Sequence, residues 1–182
     1  MASLISASGA TGTGSLTIQG PSTNSNQVLT IPDATGTVMV SGNMPAFSAT
    51  MSADQTIGTS ATKITFNTKV FDTNSNYDNT TNYRFTPTVA GYYQINFNLS
   101  TLPASGAANG QFYFYIYKNG SSYIQQRTFY SSAGNFLGCQ LASVIYCNGS
   151  TDYIEAYAAG ASQSMIIYSA YSGFSGAMVR SA

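Results

Sequence analysis

Residues 112–117 read Phe-Tyr-Phe-Tyr-Ile-Tyr, and nothing else in the chain restricts its fold as strongly. Successive side chains of a strand point to opposite faces. Phe112, Phe114 and Ile116 therefore share one face, and Tyr113, Tyr115 and Tyr117 share the other. The first face can feed the core of a sandwich. The second carries three large aromatic rings, a patch that monomers seldom leave in water. Tyrosine suits surfaces that are buried but keep a polar tip. The pattern predicts a two-sheet β-protein with a subunit contact through Tyr113, Tyr115 and Tyr117. The alternative is an exposed tyrosine ladder, or one that serves a ligand.

Similar alternation runs through the rest of the C-terminal part. In residues 92–99, Tyr93, Ile95, Phe97 and Leu99 face one way, with Gln94, Asn96 and Asn98 opposite, as in a half-buried strand. Asn119-Gly120 follows the aromatic run at Lys118, and Asn-Gly between β-runs is the strongest short hairpin signal. A second Asn-Gly, Asn148-Gly149, joins the run 139–147 to 153–157, and further strands are predicted at 165–171 and 174–180. No stretch sustains helical periodicity. Strands separated by turns every ten or so residues indicate an all-β sandwich or jelly roll.

Charge and side-chain inventory then remove several classes of function. Of 182 residues only 7% are charged, six basic and six acidic, so no basic stripe exists to neutralise phosphates, which argues against nucleic acid as a partner. Disorder does not explain the low charge, because the chain holds 14 Tyr and 10 Phe. There is no His, which removes the commonest general base and metal ligand. Cys139 and Cys147 bracket a strand-like run and lack the spacing of a zinc site. An unbroken strand would hold them roughly 26 Å apart, far beyond disulfide reach, so both are expected to be free thiols. Asp152 and Glu155 form the nearest carboxylate pair, but a separation of three sets them on opposite strand faces. Gly9-Ala-Thr-Gly-Thr-Gly14 lacks the Lys and the helix of a phosphate loop. The chain is expected to have no enzymatic activity and no cofactor. Asp72, Asp78 and Asp152 lie at turns and are expected to stabilise them rather than bind calcium. No segment approaches the roughly 20 apolar residues of a membrane span, and Met1–Ala10 has neither the basic nor the apolar region of a signal peptide.

Residues 1–44 differ in texture from residues 45–182. They carry one charge, Asp33, no aromatic residue, and many Gly, Ser and Thr. The short pieces Ser15–Ile18, Gln27–Ile31 and Gly36–Val40 are β-like but too short to be held by single-chain packing. A flexible linker and a stem intertwined with copies of itself fit this composition equally well.

The order and spacing of residues in the C-terminal part resemble the C1q-like globular domain, a jelly roll of the tumour-necrosis-factor superfamily. That family's pattern runs Phe, five residues, Asn or Asp, four residues, an aromatic, six residues, Phe, five residues, Gly-x-Tyr-x-Phe-x-Phe/Tyr. Phe66, Asp72 and Tyr77 keep the first spacings, and Phe85, Gly91, Tyr93 and Phe97 keep the later ones. One extra residue separates Tyr77 from Phe85, and Ile95 replaces a Phe. Pro45–Ala49 is similar to the family's opening, and Phe174-Ser-Gly176 to its closing strand. The resemblance implies a homotrimer about a threefold axis, with aromatic contacts near that axis and recognition through loops and outer surfaces.

In the N-terminal part, Leu29-Thr-Ile-Pro-Asp-Ala-Thr-Gly-Thr37 resembles a repeat of bacteriophage fibre proteins. This implies a stem at 1–44 carrying a head at 45–182. Together the resemblances imply a homotrimeric virion fibre or spike, a head fibre or a tail fibre, assembled in the host cytoplasm. Its partners would be itself, other virion proteins through the stem, and a glycan or protein of the host surface. Capsid decoration without a receptor role is the alternative.

Overall fold

The computed structural model describes Ser22, Met39, Val40, Gly42 and residues 44–104, 109–131 and 134–182. The stem predicted at 1–44 therefore lies almost entirely outside the described residues. Met39 packs against the hydrophobic core, while Val40 is exposed.

Among the described residues thirteen strands follow one another: β1 (Ala46–Thr50), β2 (Gln55–Ile57), β3 (Thr62–Lys63), β4 (Thr68–Asp72), β5 (Tyr77–Asp78), β6 (Arg84–Phe85), β7 (Ala90–Pro103), β8 (Gly110–Lys118), β9 (Ser121–Tyr130), β10 (Leu137–Asn148), β11 (Ile154–Gly160), β12 (Met165–Ile167) and β13 (Gly173–Ser181). They form two sheets. One holds seven strands in the order β2-β12-β7-β13-β1-β4, with β10 on the other side of β7. The second holds six, β5-β6-β11-β8-β9, with β3 also paired to β11. Every pairing is antiparallel. The all-β jelly-roll sandwich predicted from the alternation is the observed fold.

The predicted facing holds along the central strands. Tyr93, Ile95, Phe97 and Leu99 on β7 and Phe112, Phe114 and Ile116 on β8 are all buried. Between the sheets the gap is filled mainly by rings. Phe47 on β1 lies 4.8 Å from Tyr77, 4.5 Å from Phe85 and 5.0 Å from Phe174, and Phe85 meets Tyr93 at 5.4 Å. Phe66 joins the cluster through Phe174, at 5.6 Å. Offset and edge-on ring pairs at these separations contribute beyond their buried area. The two tyrosines bring hydroxyls into the core and satisfy both: Tyr77 donates to the Phe66 carbonyl and Tyr93 to the Val89 carbonyl. Gly176 lies beneath these rings, where an added Cβ would stand 2.7 Å from Ile95 and 2.8 Å from Phe47. Gly91 is tighter still, because its Cβ would stand 2.5 Å from the Arg180 carbonyl oxygen.

Turns depart from the sequence reading in two places. Asn119 and Gly120 both have positive φ, the conformation a two-residue hairpin requires, and they connect β8 to β9 as predicted. Asn148-Gly149, by contrast, makes no hairpin. It carries the chain from β10 in one sheet to β11 in the other, where β11 pairs with β8. The strand predicted at 165–171 stops at Ile167. A short 3-10 turn, Ser169–Tyr171, follows, fixed by the Asp54 carboxylate, which accepts from both the N–H and the hydroxyl of Ser169.

The turn aspartates act on backbone. Asp72 accepts from the N–H groups of Asn76 and Tyr77 and pairs with Lys69. Asp78 accepts from the N–H groups of Thr80, Thr81 and Asn82. Asp152 ties the two Asn-Gly turns together, accepting from the Asn119 amide at 2.7 Å and the Asn148 N–H at 3.0 Å, with Lys118 at 2.9 Å. Burial pushes the Asp72 and Asp152 carboxyls up, but the hydrogen bonds and cations outweigh it and both lie below the ordinary 3.8. Backbone N–H groups of Thr81 and Thr80 pull Asp78 lower as well.

Gly91→Ala should lower stability by about 1–3 kcal/mol, because backbone must move to admit the methyl. Gly138→Ala, at a position with open space around it, should melt as the wild type in the same thermal scan. Because the three carboxyls are depressed in the folded state, their contribution is present above the ordinary carboxylate range and is lost as pH falls through the folded values. Denaturant midpoints should thus stay level near neutrality and fall in acid. Asp152→Ala should cost roughly 1.5–3 kcal/mol at neutral pH and flatten part of that acid slope.

Candidate functional site

Groups with intrinsic reactivity are locked into structure. Cys139 and Cys147 are free and buried on the inner face of β10. Burial pushes their thiols up to about 12 and about 11, so both stay protonated near neutrality. Asp152 is engaged by Lys118, and Glu155, itself buried, is engaged by Lys63. Among the described residues no three His, Cys, Asp or Glu side chains come together as a metal site. The two sheets of the described structure present two different outer faces.

The outer face of the six-stranded sheet carries Tyr113, Tyr115 and Tyr117, the residues singled out in the sequence. Register sets Ala159, Tyr157 and Glu155 of β11 beside them on one side and Arg127 and Gln125 of β9 beside Tyr113 and Tyr115 on the other. The rings form a row: Tyr113 to Tyr115 at 6.4 Å, Tyr115 to Tyr117 at 5.7 Å, and Tyr117 stacked on Tyr157 at 4.1 Å. Each covers part of its neighbour, and all four are half-buried in the isolated chain. Burial, together with the adjoining Tyr117 and Tyr113 hydroxyls, raises the Tyr115 phenol. Tyr157 is raised by burial and then by Glu155. At the margins the Arg84 guanidinium lies 4.3 Å from the Tyr153 ring, and that of Arg127 lies 4.8 Å from the ring of the exposed Phe129.

The outer face of the seven-stranded sheet was not picked out from the sequence. Its floor is small and polar: Gln94, Asn96 and Asn98 on β7 stand opposite Val144, Ala142 and Gln140 on β10. Larger side chains rise around it. Tyr92 and Tyr146, directly opposite in register, hold their rings 5.5 Å apart. They are 41% and 42% exposed, Val144 is 49%, Phe71 on β4 49%, and Val179, at the bulge in β13, 53%. Two shallow hollows of about 230 and 210 Å³ lie along this face, one between β7 and β10 and the other between Phe71 and Ser175. The signal was present in Gln140-Leu-Ala-Ser-Val-Ile-Tyr146, but so apolar a run does not show which members turn outward.

The residues of the family pattern gather elsewhere, in the core. Phe66, Tyr77, Phe85, Tyr93, Phe97 and Phe174 are all buried, Asp72 caps the turn before Tyr77, and Gly91 and Gly176 sit where backbone and rings leave no space for a side chain. They build the scaffold and leave both outer faces to other residues.

No protein-family model and no curated protein sequence matches the chain. Solved structures do. Eiger TNF from S. frugiperda aligns with a TM-score of 0.56 and 9% identity, over 76% of this chain and 93% of that one. Murine APRIL, determined at pH 5.0, aligns at 0.53 and 8% identity, over 75% of this chain and 99% of that one. The PRD1 vertex protein P5 aligns at 0.50 and 12% identity, over 76% of this chain and 97% of that one. At such identities the likeness concerns the fold, and the fold is a jelly-roll β-sandwich of the tumour-necrosis-factor type.

Proposed function

We propose that this chain is the subunit of a trimeric bacteriophage spike or fibre, with a stem at 1–44 that attaches to other virion proteins and a head at 45–182 that adheres to the host surface. The observation that carries the reading is the exposed apolar set on the seven-stranded sheet, Tyr92, Val144, Tyr146 and Val179. Exposed large side chains clustered on one sheet face mark a contact surface, and the amide floor between them allows close approach with paired hydrogen bonds. The fold shared with the PRD1 vertex protein P5 and the fibre-like run Leu29–Thr37 support a place on a virion.

In this reading the seven-stranded sheet faces the threefold axis, and the Tyr92–Tyr146 pair supplies the aromatic contacts near it. The row of Tyr113, Tyr115 and Tyr117, for which the sequence predicts a subunit contact with a ligand surface as the alternative, then faces outward. Burying a lone carboxylate at the contact is costly. Val144→Asp should therefore shift the protein toward monomer in sedimentation velocity, while Tyr115→Ser leaves the distribution unchanged. The opposite pair of results would return the subunit contact to the tyrosine row.

Adhesion is tested on cells. Fluorescent full-length protein should stain host cells, with free host-surface glycan competing for the staining. Particles that lack the protein yet adsorb at the normal rate would remove the receptor role and leave capsid decoration.

A further inference from the structure

The outer face of the six-stranded sheet carries more cations than acids, although the whole chain has formal charge zero. Lys63, Arg84 and Arg127 stand on this face. Glu155 and Asp78 are the acids among them: Glu155 is buried and bound to Lys63, and Asp78, opposite Arg84 in register, accepts from the backbone N–H groups of Thr80, Thr81 and Asn82. The remaining salt bridges of the described residues, Lys69–Asp72 and Lys118–Asp152, consume acids at turns. Three cations against two carboxylates, both already engaged, leave an excess of one positive charge. Neither Arg84 nor Arg127 has a carboxylate within ion-pair distance among the described residues. Each lies over an aromatic ring instead. A guanidinium stacked in that way is held in place while its in-plane N–H groups stay free to grip a carboxylate.

Between the two arginines runs the row of Tyr113, Tyr115, Tyr117 and Tyr157 rings, with Gln111 and Gln125 beside it. Half-exposed rings present apolar faces on which the C–H faces of sugar rings can stack, while phenol and amide groups meet hydroxyls. A flat row suits an extended chain of sugars rather than a single compact ligand. Cations at its margins select a chain that carries negative charge. A single-stranded nucleic acid would also stack on such rings, but it brings a phosphate at every step, and two unpaired cations fall far short of neutralising it.

We propose that this face binds an acidic polysaccharide, its sugar rings lying along the tyrosine row and its carboxylates gripped by Arg84 and Arg127. The proposal rests on the adhesion reading and names the ligand class for it.

The test uses the full-length protein, titrated calorimetrically with oligogalacturonate, with a neutral malto-oligosaccharide of equal length, and with oligo-dT. Oligogalacturonate should bind, and its affinity should fall as salt screens the arginines. The neutral chain should bind roughly tenfold more weakly or not at all. Combining Arg84→Gln with Arg127→Gln should cost oligogalacturonate a similar factor while leaving sedimentation unchanged, and Tyr115→Ser should weaken oligogalacturonate as well. The proposal is overturned if oligogalacturonate does not bind, if the neutral chain binds equally well, if the double variant keeps full affinity, or if oligo-dT binds more tightly than the uronate. Host-cell staining separates this from the adhesion reading. Wild-type staining that the double variant matches overturns the acidic-glycan assignment and leaves adhesion standing. Failure of the wild type to stain overturns adhesion, while the titration still decides what the face binds.

Discussion

The stack of rings between the sheets is the interaction on which the rest of this structure depends. Phe47 touches Tyr77, Phe85 and Phe174, and through them the packing reaches Phe66 and Tyr93. Rings are wide and stiff, so they fill the gap between two sheets with few residues. They also leave no latitude elsewhere. Gly91 and Gly176 are glycines because carbonyl oxygen or ring already occupies the space a side chain would need. The Tyr77 and Tyr93 hydroxyls are buried at little cost because each reaches a backbone carbonyl.

A core filled in this way from the inner faces cannot also absorb what stands on the outer ones. Every strand that sends a Phe or Ile inward sends its neighbour outward, and in this chain many of those neighbours are large. On the six-stranded sheet they are tyrosines that partly cover one another and are edged by arginines. On the seven-stranded sheet they are Tyr92, Val144 and Tyr146 around a floor of amides and small residues. On the first face the rings partly cover one another and lie beside cations. The second has little covering of its own. Under the proposed reading, that difference separates a surface turned toward a ligand from one turned toward another copy.

Much of the fold was legible because strand facing has a period of two, and long strands repeat it often enough to be read. Residues 92–99 and 112–117 showed their inner faces directly. Strands of two or three residues, such as β3, β5 and β6, carry too few positions to show any period. Pairing partners were less visible still. Asn148-Gly149 has the chemistry of a hairpin, yet its flanking strands enter different sheets, because the pattern of a strand encodes in and out but not beside whom. The same limit governs the surfaces. The outward direction of Tyr113, Tyr115 and Tyr117 followed from their spacing. That Tyr92 and Tyr146 would meet across β7 and β10 depends on a register between residues 54 positions apart, which no local pattern contains.

Chemical labelling of tyrosines in the native, full-length protein separates the two faces most directly. In a single chain Tyr92, Tyr146 and Tyr123 are similarly exposed, at 41%, 42% and 52%. Mild nitration mapped by peptide mass spectrometry should modify Tyr123 and spare Tyr92 and Tyr146, because a second copy covers them. Modification of Tyr92 and Tyr146 as rapidly as Tyr123 would show the seven-stranded face open to water and contradict the account.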